Sequence, residues 1–254
     1  MLLALKLVLV PAFLAAISFA GKRWGPNVAG WLAGFPSLTG PILAFLAFER
    51  GADFTVQAAV LSLAAIFPAV SFGLAYAWSC ARLPWPGALA CAMAAWMSAA
   101  LLLAQLPLSV PFSLGLSLAT LFFAPRLFPR PRGQWSSRAL PAQELLLRMG
   151  AGAAMVLGVT AAAEALGSTW TGLFAAFPVM SIVLAVFSHR ANGAGFTATL
   201  LRSMVAGFYA YLTYCLAMAL ALPAMEAGWA IALSALAAVL VQGAAKLILM
   251  RFAR

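Results

Sequence analysis

The sequence predicts an all-α fold, a polytopic transmembrane bundle of about nine helices, arranged as two inverted four-helix repeats joined by one connecting helix. Three observations carry that prediction. The 254 residues are 65% hydrophobic and only 8% charged, with a mean hydropathy of +1.04. Apolar runs near the length of a bilayer crossing recur with only short polar breaks. The sequence also aligns with itself, without gaps, at an offset of 142 residues. A water-soluble chain of this size would leave too much apolar surface wet, so lipid is the solvent that fits.

The first run, 2–20, reads as a spanning helix rather than a cleaved leader, because Lys6 lies inside the apolar stretch and Lys22-Arg23 follow it. The second, 27–48, contains Pro36 and Pro41. The third covers 54–79. From Pro86 to Ala124 the apolar stretch is too long for one crossing. It divides at Gln105-Leu106-Pro107, since proline cannot donate to the helical ladder, giving helices at 86–105 and 107–125. Left undivided, it lowers the count to eight. The polar segment Arg126 to Glu144, with Pro129, Pro131, Gly133 and four arginines, separates the halves. Helices at 143–165, 168–188, 196–222 and 227–250 complete the set. The units are then 1–105, the connecting region 106–142, and 143–254.

The net charge of +10 comes from short basic clusters between apolar runs, which is the pattern of membrane orientation rather than of nucleic-acid binding. Nine crossings place Lys22, Arg23, Arg82, the central arginines, Arg190, Arg251 and Arg254 on one side. The opposite side receives Glu49, Arg50, Asp53, Glu164 and Glu226. The positive-inside rule then sets the amino terminus outside and the carboxyl terminus in the cytoplasm. Arginine far exceeds lysine and alanine is abundant, consistent with a GC-rich genome and a bacterial inner membrane. Cys80, Cys91 and Cys215 form neither a disulfide framework nor a zinc spacing and read as packing residues. One histidine, five acidic residues and no phosphate-binding glycine loop leave enzyme chemistry without its parts, and no cofactor or metal is implied.

The repeat pairs Gly30 with Gly172, Phe35 with Phe177, Pro36 with Pro178, Gly51 with Gly193, Thr55 with Thr197, and Lys6 with Arg148. Four helices, one connecting helix and four more make the second half enter from the opposite side. That is the architecture on which a central site can open alternately to each face.

Pro36 and Pro178 both fall near mid-membrane, each freeing a carbonyl four residues back, at Leu32 and Phe174. The first copy, with Ser37, Thr39 and Pro41, reads as a broken helix offering a polar site. The second, Phe177-Pro178-Val179-Met180-Ser181, is more apolar and reads as kinked. The candidate substrate-binding residues are therefore Pro36, Ser37, Thr39, Pro178, Ser181 and Arg202, the last a charge inside the eighth helix. Gly30, Gly172, Phe35 and Phe177 are assigned to packing and hinge roles. Paired packing kinks inherited by duplication would leave the same marks. Lys6, Arg148 and Lys246 lie near helix ends, where long side chains reach the interface. His189 is expected in a solvated loop beside Arg190, and Glu164 at a solvated helix end.

The stretches Ala29-Gly30-Trp31-Leu32-Ala33-Gly34-Phe35-Pro36 and Thr171-Gly172-Leu173-Phe174-Ala175-Ala176-Phe177-Pro178 resemble the Gly-Leu to Phe-Pro segment of GlpM-type small bacterial membrane proteins. The resemblance implies a fused pair of such units and assigns no substrate. The expected function is that of a secondary transporter or flippase-like carrier for a small anionic or zwitterionic solute. The alternative is a non-transporting scaffold subunit of an envelope-assembly complex. Expected partners are the lipid bilayer and the solute, with a homo-oligomer left open and nucleic acid excluded.

Overall fold

The computed structural model describes residues 2–129, 141–166 and 177–252, and every regular element among them is an α-helix. Gly172, the start of the seventh predicted helix, the side chains of Glu164 and Lys246, and Arg130, Arg132 and Arg138 lie outside the described residues.

The elements are α1 (Leu2–Trp24), α2 (Pro26–Ala33), α3 (Thr39–Glu49), α4 (Ala52–Ala64), α5 (Ile66–Ser79), α6 (Trp85–Ala104), α7 (Val110–Leu127), α8 (Ala142–Leu166), α9 (Val179–Ala221) and α10 (Ala227–Phe252). Seven described helical runs are long and apolar enough to cross a bilayer, α4 and α5 forming one continuous run. The difference from nine lies in two places. The second predicted helix is two short pieces, α2 and α3. The predicted seventh and eighth helices follow each other without a loop, through Gly193, whose φ of 81° and ψ of 177° interrupt the 43-residue α9. His189 therefore sits within a helix rather than in the expected loop. Its Nδ1 lies 3.3 Å from the Tyr76 hydroxyl.

Only glycine adopts that backbone without strain. Gly51, its counterpart at the 142-residue offset, has φ 81° and ψ 179°. In both places the following helix is tied back by a threonine. Thr55 donates to the Gly51 carbonyl at 2.8 Å, and Thr197 to the Gly193 carbonyl at 3.0 Å.

Large apolar side chains face outward, and small or hydroxylated ones face in. On α10, Trp229, Leu233, Leu236 and Leu240 are exposed, while Ala230, Ser234, Ala238 and Gln242, spaced four apart, are buried. On α7, Ser113, Ser117 and Leu121 are buried and Phe122 and Phe123 exposed. Lipid already satisfies apolar surface, so helices associate through close backbone approach and buried hydrogen bonds. Ser117 accordingly donates to the Leu63 carbonyl at 2.7 Å.

The tightest seam runs between α2 and the later arm of α9. A side chain on Gly30 would overlap the backbone of Leu200, and one on Gly34 would overlap Met204 and Gly207. Further along, the Tyr214 hydroxyl donates to the Gly40 carbonyl at 3.0 Å. The contacts advance together along both chains, so α2, the break and α3 run parallel to residues 194–221. Helix α1, by contrast, runs antiparallel to α8. Arg148 reaches Ser18, and a side chain on Gly152 would meet Leu14 and Val10.

These contacts give the bundle two ends. Cys80 reaches the Ala194 carbonyl, Trp78 reaches the Leu127 carbonyl, and Arg190 lies over Trp85, so Lys22, Arg23, Arg82, Arg126 and Arg190 share one end. Glu49, Arg50 and Asp53 belong to the other. We call these the basic end and the acidic end.

Candidate functional site

Local chain chemistry makes the breaks. Pro36 cannot donate, and the chain between α2 and α3 closes on itself. The Ser37 amide donates to the Phe35 carbonyl at 2.7 Å, across a three-residue turn, and the Gly40 amide donates to the Pro36 carbonyl at 2.7 Å. At the second proline the same two bonds recur. Val179 donates to Phe177 and Ile182 to Pro178, both at 2.9 Å. The second copy, expected to be only kinked, is thus broken in the same way as the first. The Leu32 carbonyl, expected to be free, instead accepts from the Phe35 amide at 3.1 Å, because the last turn of α2 tightens.

Both breaks open on one cavity of about 300 Å³. Of the residues singled out in the sequence, Phe35, Ser37, Thr39, Phe177, Pro178 and Ser181 line it. Pro36 is buried behind the first break and is not a lining residue. Arg202, half-buried, is not one either. The later arm of α9 presents Met204, Phe208 and Tyr211 to the cavity, a stripe at helical spacing. Arg202 stands about 200° around the helix from Met204. Gly30 serves the α2 seam, and Gly172 lies outside the described residues.

Among the polar lining residues, Lys6, Ser62, Thr160 and Tyr211 had not been assigned to the site. Lys6, expected to extend to the interface, is half-buried and is the one charged residue among the described residues that line the cavity. Thr160, on α8, and Tyr211 add hydroxyls. Thr39 lies within hydrogen-bond distance of the Tyr211 hydroxyl, at 3.3 Å. The signal for Tyr211 was the 204–208–211 stripe. For Lys6 and Thr160 no local signal exists, because only the packing of α1 and α8 brings them to the breaks. Phe177 is held by Trp96, edge to face, with ring centroids 5.2 Å apart. The cavity therefore offers one ammonium group, a set of hydroxyls and apolar walls.

Beyond the broken segments, Lys6, Leu46 and Thr160 extend the lining toward the acidic end.

Toward the basic end lies a much smaller crevice, about 30 Å³, bordered by Ser18, Lys22, Arg148, Ser188 and Asn192 among others. Arg148, also expected to reach the interface, is instead buried, with 4% of its surface exposed. Its guanidinium is ion-paired with Glu144, one helical turn back. It also donates to the Ser18 hydroxyl at 3.2 Å and lies 5.6 Å from the Phe187 ring centroid. A buried cation needs such partners, since removing it from water is costly.

Cys80, Cys91 and Cys215 are unbridged, and no group of three metal-ligating side chains occurs among the described residues. No protein-family model, curated protein or solved structure matches this chain.

Proposed function

We propose that this integral membrane protein is a secondary carrier of a small anionic or zwitterionic solute, resident in a bacterial inner membrane with the acidic end outside. The observation that carries the proposal is the cavity of about 300 Å³ at the meeting point of the two Phe-Pro breaks, where Lys6 is the charged residue among the described lining. That volume corresponds to roughly ten water molecules. It suits a metabolite-sized solute rather than a lipid. An ammonium group at its wall favours an anionic substituent, and hydroxyls along the broken helices satisfy the solute's remaining polar groups. The inverted-repeat reading is supported by the matched hydrogen bonds at both breaks and by the antiparallel packing of α1 on α8. The resemblance to GlpM-type proteins agrees with a fused pair of units.

Purified protein in liposomes, given a panel of labelled small organic acids and amino acids, tests this directly. Wild type should move at least one of them faster than empty liposomes do. Lys6→Met should lower that flux at least tenfold, while Arg202→Ala, off the cavity wall, retains it. Equal flux through Lys6→Met and wild type would remove the cavity from the transport path.

A further inference from the structure

Each of the two breaks starts a helix on the cavity. Helix α3 begins at Thr39 and runs toward the acidic end, where it finishes at Glu49. Helix α9 begins at Val179, and its first arm runs the opposite way, toward Arg190 at the basic end. Two helix N-termini therefore meet at the breaks, and Leu38, Thr39, Met180 and Ser181, at their starts, line the same cavity. Neither N-cap residue, Leu38 or Pro178, supplies a side-chain cap. The turn bonds leave a matched gap among the amides. In the first break Ser37 donates to Phe35 and Gly40 to Pro36; in the second, Val179 donates to Phe177 and Ile182 to Pro178. Among the described residues the amides in between, at Leu38, Thr39 and Ser181, find no backbone acceptor. A helix terminus alone does not make a site, but one side chain here points to a ligand. Ser181 has 7% of its surface exposed and lines the cavity, and its hydroxyl has no hydrogen-bond partner among the described residues. Thr39, its counterpart at the 142-residue offset, has its own hydroxyl 3.3 Å from that of Tyr211. A buried hydroxyl without a partner is costly, and a ligand group at this position would relieve that cost.

We infer that the two converging N-termini bind one carboxylate of the solute, with the Leu38, Thr39 and Ser181 amides and the Ser181 hydroxyl as its donors, and that the solute is a short aliphatic monocarboxylate. This rests on the carrier reading and narrows its substrate class. Each N-terminus carries the equivalent of about half a positive charge, so the pair matches one singly charged anion. Ile42, Leu43, Ile66, Val156 and Phe208 supply apolar wall around that position, which suits a hydrocarbon body on the carboxylate. Lys6, farther toward the acidic end, draws the anion in from that side, and the amides of the breaks hold it.

The test titrates the full chain in nanodiscs with propionate, butyrate, valerate and hexanoate, and with the uncharged amide of each, following binding by calorimetry. Wild type should bind at least one carboxylate at least tenfold more tightly than its amide. Ser181→Ala removes a donor and should weaken the carboxylate at least threefold while leaving the amide unchanged. Ser181→Asp sets a like charge at the site and should abolish the preference. Thermal unfolding at the wild-type temperature shows that each variant is intact, and Ser181→Ala, which adds no charge, decides the matter if Ser181→Asp does not fold. Lys6→Met leaves the N-termini untouched and should keep the preference. A wild type that prefers no carboxylate, a preference that survives Ser181→Asp or is unchanged in Ser181→Ala, or one that Lys6→Met alone removes, overturns the inference. Binding is read at equilibrium with no gradient, so carboxylate binding without liposome flux sinks the carrier reading alone, whereas flux indifferent to Ser181→Asp sinks this inference alone.

Discussion

Arg148 toward the basic end and Lys6 toward the acidic end occupy matching positions of the repeat and stand in different surroundings. Arg148 is buried, bonded to Glu144 and Ser18. Lys6 is half-buried and lines the cavity of about 300 Å³. The difference teaches that matching cations in a repeat need not share an environment, since Arg148 has a carboxylate one turn before it and Lys6 has Leu2 there.

The largest expected break in this contrast is Glu144→Ala, which strands a guanidinium with 5% side-chain exposure. Removing one partner of a buried pair costs about 3–5 kcal/mol. The lower part of that range applies, because the Glu144 side chain retains 23% exposure. Thermal unfolding followed by tryptophan fluorescence should show it, whereas Lys6→Ala should stay within about 0.5 kcal/mol of wild type. Equal losses at the two positions would erase the distinction between ends.

Next in size is Gly34→Val at the parallel seam. Its side chain would overlap the backbone of Met204 and Gly207. Overpacking of this kind costs about 1–3 kcal/mol. The same unfolding assay should register that loss, while Gly150→Val, where nothing lies within 4 Å of the added carbon, should not. The smallest effect is expected from Tyr211→Phe, which removes the hydroxyl facing Thr39. One such hydrogen bond contributes about 1 kcal/mol. A loss well above that in the unfolding assay would mean that Tyr211 braces the cavity wall rather than merely lining it.

Much of the bundle is legible in the chain. Pro36 and Pro178 announce the breaks, because a residue without an N–H cannot continue the ladder. The recurrence of Phe-Pro, Gly51/Gly193 and Thr55/Thr197 at one offset foretells that both copies adopt the same turns. The Glu144–Arg148 pair was also open to reading, since carboxylate and guanidinium stand four residues apart on one helix. Arg202 misled for a related reason. A charge inside an apolar helix draws the eye, but the 204–208–211 stripe shows that the cavity face lies elsewhere. The proximity of Lys6 and Thr160 to the breaks had no local trace, because it depends on how α1 and α8 pack around residues distant in sequence.

By composition and periodicity alone, this chain is committed to lipid, to helices, to two breaks near mid-membrane and to a charge asymmetry between its ends. Those follow from local physics: apolar length sets crossings, proline interrupts hydrogen bonding, and glycine permits the positive φ at Gly51 and Gly193. Only the tertiary structure decided that Lys6 comes to the wall of a cavity and that Arg148 is buried against Ser18 and the Phe187 ring. Those placements are made by contacts between helices far apart in the chain, which no local pattern records.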